Sequence, residues 1–312
     1  GKYTDGVDYY YSGSDGKPKW GMEASGLAAV DLQNKAALHL DMVQTVDRHE
    51  SETLLEYYGS TIIARKDRLQ SISKYIAVDA YFSRQPFVDQ MVMNGFDVIT
   101  RLRKDAKIRY LYRGPREKRR GKPRQFDGYV AVRNLREDVF TPCAIDEDRK
   151  WIAYEAIVNV EALKCQVVLV VVHDLDSEGQ VNGHRLYMST DTNLNGGEVL
   201  HAYQCRFQQE FLFRDAKQEL GLEHCQAYSW QKNDFHFNVA MTVGSLAKAA
   251  YHLQVPGQPV RAFSIADVKQ RHMNEFQAQR ILSLCRLDLD EDLIRNLQQH
   301  FSNFGLRNFQ RA

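Results

Sequence analysis

The sequence predicts an α/β fold interrupted by a β-rich insertion, and three observations carry that prediction. KYIAVD (74–79), SRQPFVDQMVMNG (83–95) and FDVITRLR (96–103) read as strand, helix and strand within about 30 residues, a βαβ unit with a parallel pair. Residues 104–190 carry strand-like runs with no helical period. From residue 195 onward the pattern is helical.

The elements follow in order. A polar stretch rich in Gly and Tyr, including Tyr9-Tyr10-Tyr11, opens the chain and reads as a loop with surface tyrosines. Residues 20–31 and 35–45 read as two strands around a turn at Leu32-Gln33-Asn34. Leu54, Leu55, Tyr58, Ile62 and Leu69 recur at helical spacing and predict one helix over 49–70. Ser83 is a cap candidate for the helix at 83–95, and Gly95 is its stop signal. Strands are expected at 127–133, 151–161, 164–172 and 184–190, after a Gly/Pro-punctuated loop at 113–125. Asn195 with Glu198 marks the start of a helix that runs to Gly221. Further helices are expected at 233–253, from Ser264 and over 290–301. The parts of the chain divide as 1–103, the insertion 104–190, and 191–312.

A length of 312 residues allows one large or two modest domains. With 44% hydrophobic and 26% charged residues, disordered, collagen-like and disulfide-scaffold classes are excluded. The five scattered cysteines contain no C-x-x-C pair, so reduced cytosolic thiols are expected rather than a zinc site. The longest nearly apolar run, Val167 to Val172, is too short to span a bilayer. The formal net charge is only +1. That average conceals a basic segment: residues 101–125 hold 12 Lys and Arg against Asp105 and Glu117, a net +10. Such a segment is either a solvated hairpin or a phosphate-contacting surface, with Arg119 and Arg120 in its loop at 113–125.

On a continuous helix over 197–220, Tyr203, Arg206, Glu210, Arg214 and Lys217 fall within an arc of about 80°. The stripe reads either as a solvated face of paired charges or as a carboxylate aimed at a metal and ringed by phosphate-holding cations. Asp79 ends an apolar strand just before a helix, the sheet edge where open α/β folds place their sites. It reads as a turn acid or as a metal ligand.

Tyr203, Arg206, Glu210 and Lys217 resemble the Y-(2)-R-(3)-E-(6)-K signature of bacterial insertion-sequence transposases of the DDE class. The surrounding YQCRFQQEFLFRDAKQELGL is similar throughout, and VDAYFSR (78–84) resembles the segment around that family's second catalytic Asp. GMEASGLAAVDLQNKAALHLDMVQT resembles its early hairpin.

The resemblance implies a ribonuclease-H-like mixed sheet with flanking helices. Asp79 and Glu210 would be the second and third catalytic, metal-binding carboxylates, with Mg²⁺ as cofactor and Mn²⁺ able to replace it. Tyr203, Arg206 and Lys217 would grip DNA; apart from the resemblance, Arg214 on the same stripe and Arg119 and Arg120 in the basic segment read as further DNA contacts. The reaction implied is strand cleavage at transposon ends followed by attack of the freed 3′-hydroxyl on target DNA. The partners would be DNA and a second copy of the chain within the DNA complex, in the cytoplasm and at the nucleoid. In this family the first catalytic Asp sits on a strand before the hairpin, and here the lead-in begins at Gly1. Asp5, Asp8, Asp15 and Asp31 are candidate stand-ins; the expectation is a fragment whose first acid lies upstream and which does not itself cleave DNA. Asp191, in the lead into the Glu210 helix, reads as a turn or cap residue. Two other readings remain, a non-catalytic DNA-binding remnant and another ribonuclease-H-like nuclease.

Overall fold

A computed structural model describes residues 3–13, 15–45, 52–115, 122–253, 263–285 and 290–306. The chain divides into two compact units. One comprises 29–36 and 45–208; the other comprises 1–28, 37–44 and 209–312.

The unit built on 45–208 holds α1 (Leu54–Ile63), α2 (Lys66–Gln70), β5 (Tyr75–Ala77), α3 (Gln85–Met93), β6 (Asp97–Leu102), β7 (Ile108–Leu111), β8 (Phe126–Tyr129), β9 (Thr141–Asp146), β10 (Trp151–Val160), β11 (Cys165–Leu175), β12 (Val181–Ser189) and α4 (Gly196–Cys205). Its eight strands form one mixed sheet in the order β5-β6-β12-β11-β10-β7-β8, with β9 also paired to β10. β5 and β6 are parallel, as the βαβ pattern predicts. Among the described residues, every other pairing in this sheet is antiparallel. The strands between 108 and 189 therefore continue the β5–β6 sheet through β12.

The sheet is covered on both faces. Phe87, Val88 and Met91 of α3 are buried. On the other face Val199 and Leu200 of α4 pack with Ile99, Val168, Val170, Val172 and Tyr187. The run Val167 to Val172 lies at the centre of the sheet, which explains why it is continuously apolar rather than alternating.

The other unit contains the hairpin β1 (Asp8–Ser12) and β2 (Lys17–Gly21), most of the hairpin β3 (Ala24–Asp31) and β4 (Ala36–Gln44), α5 (Gln208–Glu219, whose first residue falls across the division), α6 (Trp230–Leu253), α7 (Ile265–Cys285) and α8 (Glu291–Ser302). Asn238 of α6 ties down β4: its amide oxygen accepts from the Met42 N–H at 2.9 Å, and its nitrogen donates to the Met42 carbonyl at 3.0 Å. Buried Lys248, one of the few charged groups in this core, donates to the Ala37 carbonyl at 3.2 Å.

Four expectations need correction. The opening residues are not a loop: Tyr9, Tyr10 and Tyr11 lie on β1, and Tyr9 meets Trp20 of β2 edge to face at 5.2 Å. The helix over 49–70 is two helices, because the chain turns at Ala64 and Arg65. Ser83 does not cap α3; Arg84 holds the cap position, and the Ser83 hydroxyl donates to the Ala80 carbonyl at 2.7 Å. The helix over 197–220 breaks after Cys205. The Arg206 N–H reaches both Ala202 and Tyr203 carbonyls, and Phe207 N–H bonds Gln204, a tightened last turn.

Candidate functional site

Asp79 lies two residues beyond β5. The ladder continues to it: Val78 N–H donates to the Ile99 carbonyl at 3.0 Å, and the Thr100 hydroxyl donates to the Asp79 carbonyl at 2.8 Å. Its carboxylate is exposed and accepts the Tyr81 N–H at 2.8 Å, capping a single helical turn at Ala80–Phe82. Asp79 is thus both the strand-end acid and a cap, at the carboxyl edge of the parallel pair.

Tyr203 and Arg206 close α4. The N-terminus of this helix is fixed by the expected capping box, with Asn195 accepting from Glu198 N–H and Glu198 accepting from Asn195 N–H, both at 3.0 Å. Glu155 of β10 accepts the Gly196 N–H as well. At the other end the Tyr203 ring packs 4.9 Å from Tyr187 and carries the Arg206 guanidinium 5.6 Å above it. Burial pushes the Tyr203 phenol up, opposed by Arg206.

Glu210, Arg214 and Lys217 lie on α5, in the other compact unit, and all three are exposed. The single stripe of five residues is therefore divided, two on α4 and its cap and three on α5. α5 is seated from its own side: Gln209 donates to the Gly26 carbonyl at 2.5 Å, and a Cβ on Gly26 would meet the Phe213 ring at 2.6 Å. Arg214 pairs with Asp215 at 3.1 Å and stacks 4.7 Å over Phe211, while Lys217 pairs with Glu223 at 2.8 Å. Exposed pairs of this kind are weak, so both cations can exchange an acid for a phosphate.

The four stand-in acids have local structural duties. Asp5 accepts the Trp230 N–H at 3.3 Å, Asp8 the Tyr9 N–H, and Asp15 holds Lys19 and Ser12. Asp31 accepts from Gln33 and Asn34 and so forms the hairpin turn. Arg119 and Arg120 lie outside the described residues. Several cations around them are paired: Arg103 with Asp105, Arg109 with Glu161, Arg124 with Asp127.

Asp191 exceeds its turn role. It is buried at 7% exposure and accepts Lys74 at 2.6 Å, Tyr75 at 2.9 Å and the Asn193 N–H at 2.9 Å. The Lys74 ammonium first, then the Asn193 N–H, hold its carboxyl well below the usual range. Lys74 also reaches Asp97 at 3.0 Å. No local motif signals a pair separated by 117 residues.

As donors, Asp79 and Glu210 are exposed hard oxygens of the type Mg²⁺ takes. Among the described residues no group of three or more His, Cys, Asp or Glu gathers into a metal centre. No described helix is long and apolar enough to cross a membrane.

Residues 8–243 match the family model described as the transposase DDE domain. No curated protein matches the chain. Among solved structures, a piggyBac transposase synaptic complex with hairpin DNA aligns with a TM-score of 0.39 and 10% identity, covering 95% of this chain and 54% of that one. The chain thus spans about half the length of that transposase. The family match covers most of the chain and includes Asp79, Tyr203, Arg206 and Glu210: this chain belongs to the transposase DDE domain family.

Proposed function

We propose that the chain is the catalytic core of a DNA transposase that cuts strands at the ends of a mobile element and joins them to target DNA. The observation that carries the reading is the family match over 8–243 taken with the strand-end position of Asp79. Asp79 and Glu210 serve as metal-binding carboxylates, with Mg²⁺ the physiological ion and Mn²⁺ able to substitute. When bound, the ion supplies Lewis-acid polarisation of the scissile phosphate. Tyr203, Arg206, Arg214 and Lys217 hold the phosphodiester backbone, and Arg119 and Arg120 extend that contact. In the first step water adds to phosphorus and the 3′-oxygen leaves. In the second, the freed 3′-hydroxyl attacks a target phosphodiester and displaces its 3′-oxygen. No covalent enzyme intermediate is needed.

In this reading 1–103 and 191–312 contribute to a ribonuclease-H-like core, and 104–190, whose strands extend the same sheet, is the stretch inserted between Asp79 and Glu210. The protein works as a homodimer on DNA, in the cytoplasm and at the nucleoid. The test uses the protein that carries this chain, a plasmid bearing the DNA that flanks its own reading frame, and Mg²⁺. Nicks at the element boundary, followed by joined products, are expected, and Asp79→Asn or Glu210→Gln should abolish both. DNA binding without cleavage would identify a non-catalytic remnant. Nicks without joining would identify another nuclease.

A further inference from the structure

On the face of the large sheet that carries α4, the parallel register of β5 and β6 brings Arg101 level with Asp79. β5 and β6 run parallel with Ala77 opposite Ile99. Two residues further along each chain come Asp79 and Arg101, and the Thr100 hydroxyl already ties the two segments together at the Asp79 carbonyl. Ile99, Ala77, Tyr187 and Tyr203 share the core beneath α4, and alternation along β6 puts Arg101 on the same face as Ile99. Across the next ladder Arg101 stands opposite Tyr187, whose ring packs on Tyr203, with Arg206 above. Both Arg206 and Arg101 act on the Tyr203 phenol. These groups all belong to one compact unit.

Arg101 also differs from several of the arginines that follow it. Arg103, Arg109, Arg124 and Arg136 each face a carboxylate. Arg101 is half-buried, and among the described residues no acid is paired with it. A partly desolvated guanidinium with no anion is costly, and the cost is recovered when an anion arrives. A guanidinium fork suits two non-bridging oxygens of one phosphate.

We propose that Arg101 is a phosphate-binding residue that acts with Arg206 to grip the DNA phosphodiester brought to Asp79. The assignment rests on the transposase reading of this site.

The test is fluorescence anisotropy of this chain on a labelled mixed-sequence duplex across a salt series, with thermal melts, for wild type, Arg101→Gln, Arg101→Lys and Arg103→Gln. Arg101→Gln should weaken binding about tenfold and reduce the slope of log K against log salt by about one. Arg101→Lys should keep the slope but recover only part of the affinity, because lysine is a point charge. Arg103→Gln, whose charge Asp105 already offsets, should change the slope clearly less. Melting temperature should not fall in any variant. Wild-type affinity and slope in Arg101→Gln would overturn the assignment while leaving the transposase reading intact. A lowered melting temperature with Arg101→Lys no better than Arg101→Gln would also overturn it, making the role structural. No binding by the wild-type chain would overturn the assignment and the reading together.

Discussion

The Lys74 ammonium donates to the Asp191 carboxylate at 2.6 Å and joins the start of β5 to the turn that follows β12. The pair fixes the lead into α4 from the edge of the sheet opposite Asp79. Its carboxyl is held below its ordinary value of 3.8, so its contribution to stability is complete above that value and is lost as pH falls below it. Asp191→Asn should lower the melting temperature at pH 7 and flatten the acid limb of a melting-temperature profile below about pH 4. An unchanged acid limb would show that other carboxylates control it.

His39 carries a second pH dependence, in the other unit. Its Nε2 lies 3.0 Å from the Asn238 amide oxygen, and its Nδ1 is buried without a partner among the described residues. Burial holds the imidazole below its ordinary value of 6.5. A depressed value favours the neutral ring in the fold. That stability is present above 6.5 and lost as pH falls through the folded value. Melting curves between about pH 7 and pH 5 should fall more steeply for wild type than for His39→Gln.

Much of this architecture is legible in local chemistry. The βαβ unit, the Asn195/Glu198 capping box and the stops at Gly95 and Gly221, both at positive φ, follow from residues that act on their near neighbours. The break at Arg206 and Phe207 is not legible, because neither Gly nor Pro marks it. It falls where the chain passes from one compact unit to the other, near residue 208. The β1–β2 hairpin escapes for a different reason. Tyr9, Tyr11 and Trp20 are all exposed, so no buried alternation records the strands. Arg101 and Lys74 depend on pairings between distant strands, which periodicity does not carry.

Gly26 tests how Glu210 is held. Its carbonyl takes Gln209, and its bare Cα leaves room for Phe213, the residues one before and three after Glu210. Gly26→Ala should cost about 1–3 kcal/mol through overpacking. In the protein that carries this chain it should lower strand cleavage more than DNA binding. Equal loss of both would mean that the hairpin supports the unit and not the acid.

Arg119→Ala combined with Arg120→Ala probes the 113–125 stretch of the basic segment. Backbone contact predicts that binding weakens alike on all sequences and that the salt slope falls by about two. A change in sequence preference with the slope intact would instead point to base contact.

Fe²⁺ in place of Mg²⁺ tests the proposed metal-binding roles of Asp79 and Glu210 most directly. With DNA, ascorbate and peroxide present, the bound iron should cut the backbone beside both residue 79 and residue 210. Either Asp79→Asn or Glu210→Gln should remove both sets of cuts together. Absence of cuts at these positions, or cuts at one that survive loss of the other acid, would contradict the claim.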